Sequence, residues 1–432
     1  MSPESQAFVV FSVGMLVLMG IGMNMGLALV LTGAGMAWVL NFWDTQLLAQ
    51  NLVAGVDSFP LLAVPFFILA GELMNAGGIS RRIIDMAQAW VGHIRGGLGY
   101  VAIAAAVLMA SMSGSALADT AALATILLPM MRQQGYPMAT SGGLIASGGI
   151  IAPIIPPSIG FVIFGVAANV SISKLFLAGI VPGLLMGLSI AVAWWYVSRR
   201  ENVTPPPKAS TAERLRALKD STWAMGLPVI VVVGLKMGVF TPTEAAVVAA
   251  VYALFVSIFV YRELKPRDIY AVFVASAKTS AVVMFLIAAA MVSSWLITVA
   301  DLPGAVVSLL QPFMDSPILL MAAIMVLVMV VGTAMDMTPT ILILTPVLVP
   351  VVIAAGIDPI YFGVLFVINN AIGLVTPPVG TTLNVVCGVT KRSMDDAIVG
   401  VIPFMIAQLI VLALLVIFPD LVIVPMKWLS GM

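Results

Sequence analysis

The chain has 432 residues, of which 62% are hydrophobic and 9% charged, with 19 Lys and Arg against 19 Asp and Glu; an ordinary soluble domain carries roughly 25% charged residues. A water-soluble fold cannot cover that much apolar surface, and the even charge balance gives no electrostatic case for nucleic acid. The single cysteine, Cys387, lies in an apolar run, which excludes an intramolecular disulfide and a Cys-rich metal site.

Apolar stretches recur from end to end, and about 20 helical residues cross a hydrocarbon core. In chain order they fall near 7–22, 26–41, 60–77, 98–113, 117–131, 141–155, 160–168, 175–197, 224–240, 243–261, 272–299, 318–335, 339–355, 361–375 and 402–418, several of them short or interrupted. Met1 to Ala7 carries no positive n-region, so the first segment is expected to stay as a helix. Between the third and fourth stretches, Ser80 to Gly96 sets Ile83, Ile84, Ala87, Trp90 and Val91 at helical spacing with Arg81, Arg82 and Asp85 between them. That pattern predicts a helix lying in the interface. His93, the only histidine, stands beside Arg95 and Gly96 and reads as an interfacial packing residue rather than a catalytic one.

Next come two places where the backbone is expected to break inside apolar sequence. In Ala110 to Asp119, Ser111, Ser113 and Ser115 alternate about Gly114, and in Ser147 to Ser158 the paired Pro156 and Pro157 remove backbone donors. Irregular backbone at membrane depth is tolerated only where protein or a wet cavity satisfies it, so the first break predicts a re-entrant hairpin tip. Asp119 is a carboxylate within a membrane segment and hence a functional candidate, with a helix cap as the alternative reading.

The longest polar stretch, Arg199 to Ser221, holds Arg199, Arg200, Lys208, Arg214, Arg216 and Lys219 against Glu201, Glu213 and Asp220, and short basic loops lie inside. Arg262, Lys265 and Arg267 follow two apolar segments later on the same side. The stretch before Leu98 is basic, with Arg81, Arg82, His93 and Arg95, whereas Asp301 to Pro317 has Asp301 and Asp315 and neither Lys nor Arg. Those two regions look like copies of each other. A shift of 221 positions pairs Pro129 with Pro350, Gly135 with Gly356, Gly142 with Gly363, Pro156 and Pro157 with Pro377 and Pro378, Gly179 with Gly400, and Pro182 with Pro403. Opposite charge environments make the repeat an inverted one, the plan of secondary transporters built on broken helices. In the second copy, Gly332 to Thr340 with Asp336, and Asn369 to Asn384 with Pro377 and Pro378, occupy the matching breaks.

These breaks are rich in Ser, Thr, Asn and backbone carbonyls, a hard oxygen environment for a small monovalent cation; sodium fits better than a proton, although Asp119 and Asp336 keep a proton reading open. No nucleophile with a paired base, His and Cys cluster or nucleotide loop is present, so an enzyme is not expected. A channel is the rival reading.

Leu62 to Glu72, Gly92 to Leu98, Ser111 to Asp119, Ile151 to Ser158 and Gly373 to Gly380, taken together and in order, resemble the large membrane (M) subunit of tripartite ATP-independent periplasmic (TRAP) transporters, over Ala7 to about Leu429. Many members have Gly where this chain has Ala152. The resemblance implies an all-α polytopic fold in the bacterial inner membrane, with inverted repeats, two re-entrant hairpins and an elevator mechanism. It implies scaffold helices and an arm at 1–97, a transport half at 98–183, and linker, scaffold helices and second arm at 184–317. A second transport half follows at 318–403, with a C-terminal helix and tail at 404–432. Expected partners are a small four-helix (Q) membrane subunit and a periplasmic (P) binding protein delivering an organic acid, with Na+ as coupling ion and no cofactor. By motif, sodium would bind at Ser111 and Ser113 with Gly332 and Met335, and at Gly373 with Thr376. Substrate would lie near Ser115, Asp119, Pro156, Pro157, Thr381, Thr382 and Asn384. A sugar acid or C4-dicarboxylate is the expected cargo, and a stand-alone dicarboxylate carrier without a binding protein is the alternative.

Overall fold

The computed structural model describes residues 3–199, 203 and 205–431; Met1, Ser2 and the linker charges Arg200 and Glu201 lie outside the described residues. Among those residues the chain is helical, with no strand. Ten helices precede the linker. α1 (Pro3–Gly20), α2 (Met25–Val39) and the short α3 (Thr45–Ala54) lead through a 3-10 turn at Phe59–Leu62 into α4 (Ala63–Ala76). α5 (Ile79–Val91) is the amphipathic helix expected in the interface; it ends five residues before Gly96, where Gly92 begins a turn that Gly96 closes in the left-handed region (φ 72°). α6 (Gly97–Ser113) and α7 (Ala116–Gln133) meet at Gly114, while α8 (Met138–Gly149) and α9 (Ile159–Ala167) are separated by the Pro-rich stretch before α10 (Ile172–Ser198).

Ten more follow: α11 (Thr211–Lys236), α12 (Pro242–Phe255) with a π turn at Val256–Val260, the long α13 (Pro266–Val299) and the short α14 (Leu302–Leu310). α15 (Pro317–Ala334), α16 (Met337–Ala354), α17 (Pro359–Gly373), α18 (Thr381–Thr390), α19 (Met394–Ile417) and α20 (Asp420–Ser430) complete the chain. Among the described residues seven helices, counting the turns that extend α4 and α12, are long and apolar enough to cross a membrane. The basic stretch after Arg199 is not all loop: α11 begins at Thr211, because the Ser210 side chain and Glu213 satisfy each other's backbone N–H groups in a capping box.

Helix limits recur at the 221-residue displacement seen in the Gly and Pro pattern. Displaced so, α7 coincides with α16, and α6, α8, α9 and α10 fall within three residues of α15, α17, α18 and α19. The first copy's α3 and α4 correspond to the two ends of one helix, α13. Side-chain caps start most of these helices: Ser115 for α7, Ser158 for α9, Ser171 for α10, Thr241 for α12, Ser316 for α15, Asp358 for α17 and Ser393 for α19.

Packing follows the same correspondence across the copies, α7 against α18 and α9 against α16, α8 against α19 and α17 against α10. α1 packs on α2 and α2 on α13, α4 lies between α12 and α13, and α5 rests on α11 and α6. Glycine lets the central helices approach: a Cβ on Gly143 would sit 2.3 Å from the Gly400 carbonyl carbon, so α8 and α19 touch backbone to backbone. Trp194 of α10, fully buried, donates from Nε1 to the Gly96 carbonyl at 2.8 Å and lies over Gly99, fixing the start of α6.

Candidate functional site

At the first break α6 stops because Gly114 adopts φ 63°, and a Cβ there would fall 2.5 Å from the Pro157 carbonyl oxygen. Glycine is therefore demanded twice, by backbone conformation and by close approach. This contact seats the Ser113 to Ser115 turn on the Pro-rich stretch. Ser113 Oγ–H donates to Asp119 Oδ1 at 2.5 Å and accepts from Ser115 N–H at 3.2 Å, and Ser115 Oγ caps α7 by accepting from Ala118 N–H. Asp119 thus sits in the first turn of α7, 1% exposed, holding the turn together through Ser113; its Oδ2 has no partner among the described residues. Ser111 donates to Leu108 O within α6.

The Pro-rich stretch is wholly buried from Ile150 to Gly160. Ser158 donates to the Pro153 carbonyl and accepts from Phe161 N–H, closing the loop and capping α9 together. Both Pro156–Pro157 and Pro377–Pro378 are joined by cis peptide bonds.

The second break uses similar groups in exchanged places. Asp336 occupies the position of Ser115 at the start of α16, and Thr340 the position of Asp119; Thr340 Oγ donates to Asp336 O at 2.8 Å. Asp336 is therefore not the positional counterpart of Asp119, since a hydroxyl stands there. Thr376 donates to Ile372 O, Thr382 to Leu374 O and Asn384 Nδ2 to Val379 O, tying the stretch between α17 and α18 to the helix ends on either side. Here burial differs from the first copy: Pro378, Val379 and Asn384 are exposed, while Thr382 is buried. Met335 and Pro377 are half-buried, and Thr381 has a buried Oγ without a partner.

The structure brings Gly332 and Gly373 together, residues that the sequence reading set in separate ion groups: a Cβ on Gly373 would meet the Gly332 carbonyl oxygen at 2.9 Å. At the corresponding first-copy positions stand Ser111 and Ala152. Sequence reasoning passed over Asn369 and Asn370 as site residues. Asn369 Nδ2 donates to Met325 O at 2.6 Å and Asn370 Nδ2 to Phe366 O at 2.8 Å, leaving both Oδ1 atoms buried and unpartnered, that of Asn370 3.8 Å from the Cβ position of Gly332. Two adjacent amides inside an apolar helix were the available signal, since buried polar groups are nearly always satisfied. Thr120 adds a further buried, unpartnered hydroxyl against Gly149. Among the described residues no group of three His, Cys, Asp or Glu is placed to hold a metal ion.

Four helices begin at these breaks, α7, α9, α16 and α18, and they pack in the cross-copy pairs α7 with α18 and α9 with α16. The α9 and α16 starts are in contact, with Met337 Cε 3.2 Å from a Cβ position on Gly160. Residues 12–421 match the family described as tripartite ATP-independent periplasmic transporter, DctM component. The chain belongs to the DctM family. Relatives in the same family include the 2,3-diketo-L-gulonate TRAP transporter large permease protein YiaN of Escherichia coli, 55% identical over 95% of this chain and 96% of that one. The sialic acid TRAP transporter large permease protein SiaM of Vibrio cholerae is 39% identical over 94% and 95%. The C4-dicarboxylate TRAP transporter large permease protein DctM of Pseudomonas aeruginosa is 38% identical over 89% and 90%. The crystal structure of the Alcanivorax borkumensis YdaH transporter aligns with a TM-score of 0.62 over 86% of this chain and 87% of that one at 14% identity, a likeness of fold alone. As a DctM-family chain, this is a multi-pass protein of the bacterial inner membrane, a transporter permease and not an enzyme.

Proposed function

We propose that this chain carries an organic acid inward with Na+ as coupling ion, its two central helix sets moving together against α1 to α4 and α11 to α13 in an elevator stroke. The carrying observation is the contact between the starts of α9 and α16 at the two breaks, with α7 packed against α18 in the other cross-copy pair. Helix N-termini bear partial positive charge and unsatisfied N–H groups, so the paired starts suit a carboxylate. The C-terminal ends α6, α8, α15 and α17 run into the same breaks and present carbonyl oxygens, which suit a monovalent cation. Oxygens without a protein donor at Asp119, Asn369 and Asn370 add acceptors of the right chemistry, and the Asp119 carboxylate would supply a compensating negative charge. The inverted repeat and the re-entrant geometry of α6–α7 and α15–α16 belong to this reading, supported by the recurrent helix limits and the opposite charge of the flanking loops.

The relatives named for diketogulonate, sialic acid and C4-dicarboxylates support a small organic acid, and the high identity to the diketogulonate permease favours a sugar acid. Family membership supports a small membrane subunit and a periplasmic binding protein as partners. The test is uptake of radiolabelled sugar acids and dicarboxylates into proteoliposomes holding the chain and its small membrane partner, with and without binding protein and an inward sodium gradient. Saturable uptake requiring both is expected. Uptake with sodium alone would mean a stand-alone carrier, accumulation indifferent to sodium would move coupling to protons at Asp119 and Asp336, and non-saturable flux would mean a pore.

A further inference from the structure

The end of α8, where the first copy runs into its Pro-rich break, is held on three sides. A Cβ on Gly148 would lie 3.1 Å from the Ala106 Cβ of α6, and one on Gly149 would strike Thr120 Oγ, the neighbour of Asp119 at the start of α7. From the third side, Gln408 Nε2 of α19 donates to the Ser147 carbonyl at 3.0 Å. This last bond has a local cause. Ile151 N–H turns back to Gly148 O at 3.1 Å and Ala152 N–H to Gly149 O at 3.2 Å, so the end of α8 tightens to three-residue spacing. The Ser147 carbonyl, which Ile151 would take in a continuing α-helix, is left over. Gln408, 0% exposed, reaches it from the other copy of the repeat.

Two observations set this amide apart from ordinary packing. Its counterpart 221 residues earlier is Gly187, which has no side chain, and the second break closes itself instead, Thr376 from the stretch after α17 donating to Ile372 O. Gln408 Oε1 and the Ser147 Oγ are, moreover, buried with no partner among the described residues. An amide kept in an apolar helix crossing for stability alone would have both ends bonded, because a buried polar atom without a partner is costly. What Gln408 secures is one carbonyl, two residues before the glycine that abuts the turn carrying Asp119. We propose, resting on the reading of Na+ as coupling ion, that Gln408 is a positioning residue for the cation of the first break. It fixes where the carbonyl end of α8 stands against the Asp119 turn, without touching the ion. When the donor is removed, Ser147 O competes for Ile151 N–H, the last turn of α8 relaxes, and Gly149 shifts on Thr120.

Gln408→Met keeps the length of the side chain and removes the donor. In proteoliposomes the sodium concentration for half-maximal uptake should rise about two- to tenfold, the worth of one neutral hydrogen bond. The maximal rate and the substrate half-saturation, both measured at saturating sodium, should stay close to those of the unaltered chain. A second readout needs no uptake: the melting temperature of the full chain with its small membrane partner in detergent, titrated with NaCl against KCl at constant ionic strength. The unaltered chain should show a sodium-specific rise, and the midpoint of that rise should move up in the variant by the same factor. Gln408→Asn, which keeps the amide but one methylene short, should move both midpoints in the same direction and stands in where the methionine variant is not recovered. A lowered maximal rate or melting temperature with both sodium midpoints unchanged would make Gln408 a packing residue and overturn the proposal. Sodium-indifferent uptake and melting in the unaltered chain would instead remove Na+ as coupling ion, and the proposal with it.

Discussion

Ser113 has one proton and gives it to Asp119, while one of its lone pairs takes the Ser115 N–H. Its remaining lone pair is therefore oriented by a carboxylate that is itself buried and charged when ionised. Replacing Asp119 with Asn keeps the shape and removes the charge. A hydrogen bond to a charged buried group contributes about 1.5–3 kcal/mol, and about 1.4 kcal/mol is tenfold in an equilibrium constant. The sodium concentration for half-maximal uptake in Asp119→Asn should then rise about tenfold or more, with a smaller change in the substrate half-saturation measured at saturating sodium. An equal effect on both constants would make Asp119 a general fold support instead. At this scale the sequence was only half legible. Ser113 and Asp119 stood out because polar groups are rare in apolar runs, but that Asp119 serves the turn through Ser113 needed the α6–α7 geometry. Asn369 and Asn370 were passed over because their importance lies in the free Oδ1 atoms, which depend on Met325 and Phe366 taking the amide protons.

Elements were more readable, because glycine and proline mark where helices stop. The run around Gly114 and the paired prolines located both breaks, and α7 and α16 fall in register from the Gly and Pro pairing alone. Two limits were misplaced for local reasons. α5 ends early because Gly92 and Gly96 make a turn, and α11 starts early because Ser210 and Glu213 cap a helix whose first turns are polar. Close helix crossings were invisible, being contacts between distant positions. The α8–α19 crossing is the sharpest: with the Gly400 carbonyl carbon 2.3 Å from a Cβ on Gly143, Gly143→Leu must part the two helices. Overpacking costs about 1–3 kcal/mol, so the melting temperature of the variant in detergent should fall clearly. Gly388→Ala is the matched control, since a Cβ there meets nothing within 4 Å in α18; Ala is favoured over Gly in a helix by about 0.8–1.0 kcal/mol. If both variants melt alike, the backbone contact between α8 and α19 is not what holds them.

For the whole molecule the decisive property is the hand of the repeat, because an elevator site shared by two copies works from both sides only if the copies are inverted. Basic residues lie in α5 and in the turn before α6, whereas the equivalent stretch around α14 carries Asp301 and Asp315 without Lys or Arg. Insertion that places basic loops inside would then put His93 in the cytoplasm and Asp301 in the periplasm, although each precedes the broken helix pair of its own copy. The linker residue Lys208 would share the side of His93, and Asn169, between α9 and α10, the side of Asp301. Single cysteines at these four positions, in a Cys387→Ser background, can be labelled in whole spheroplasts with a membrane-impermeant maleimide. Positions 169 and 301 should react at once, and positions 93 and 208 only after the membrane is opened. Labelling of 93 and 301 from the same side would show parallel copies, and the contact between the α9 and α16 starts would then need an explanation other than alternating access about a shared site.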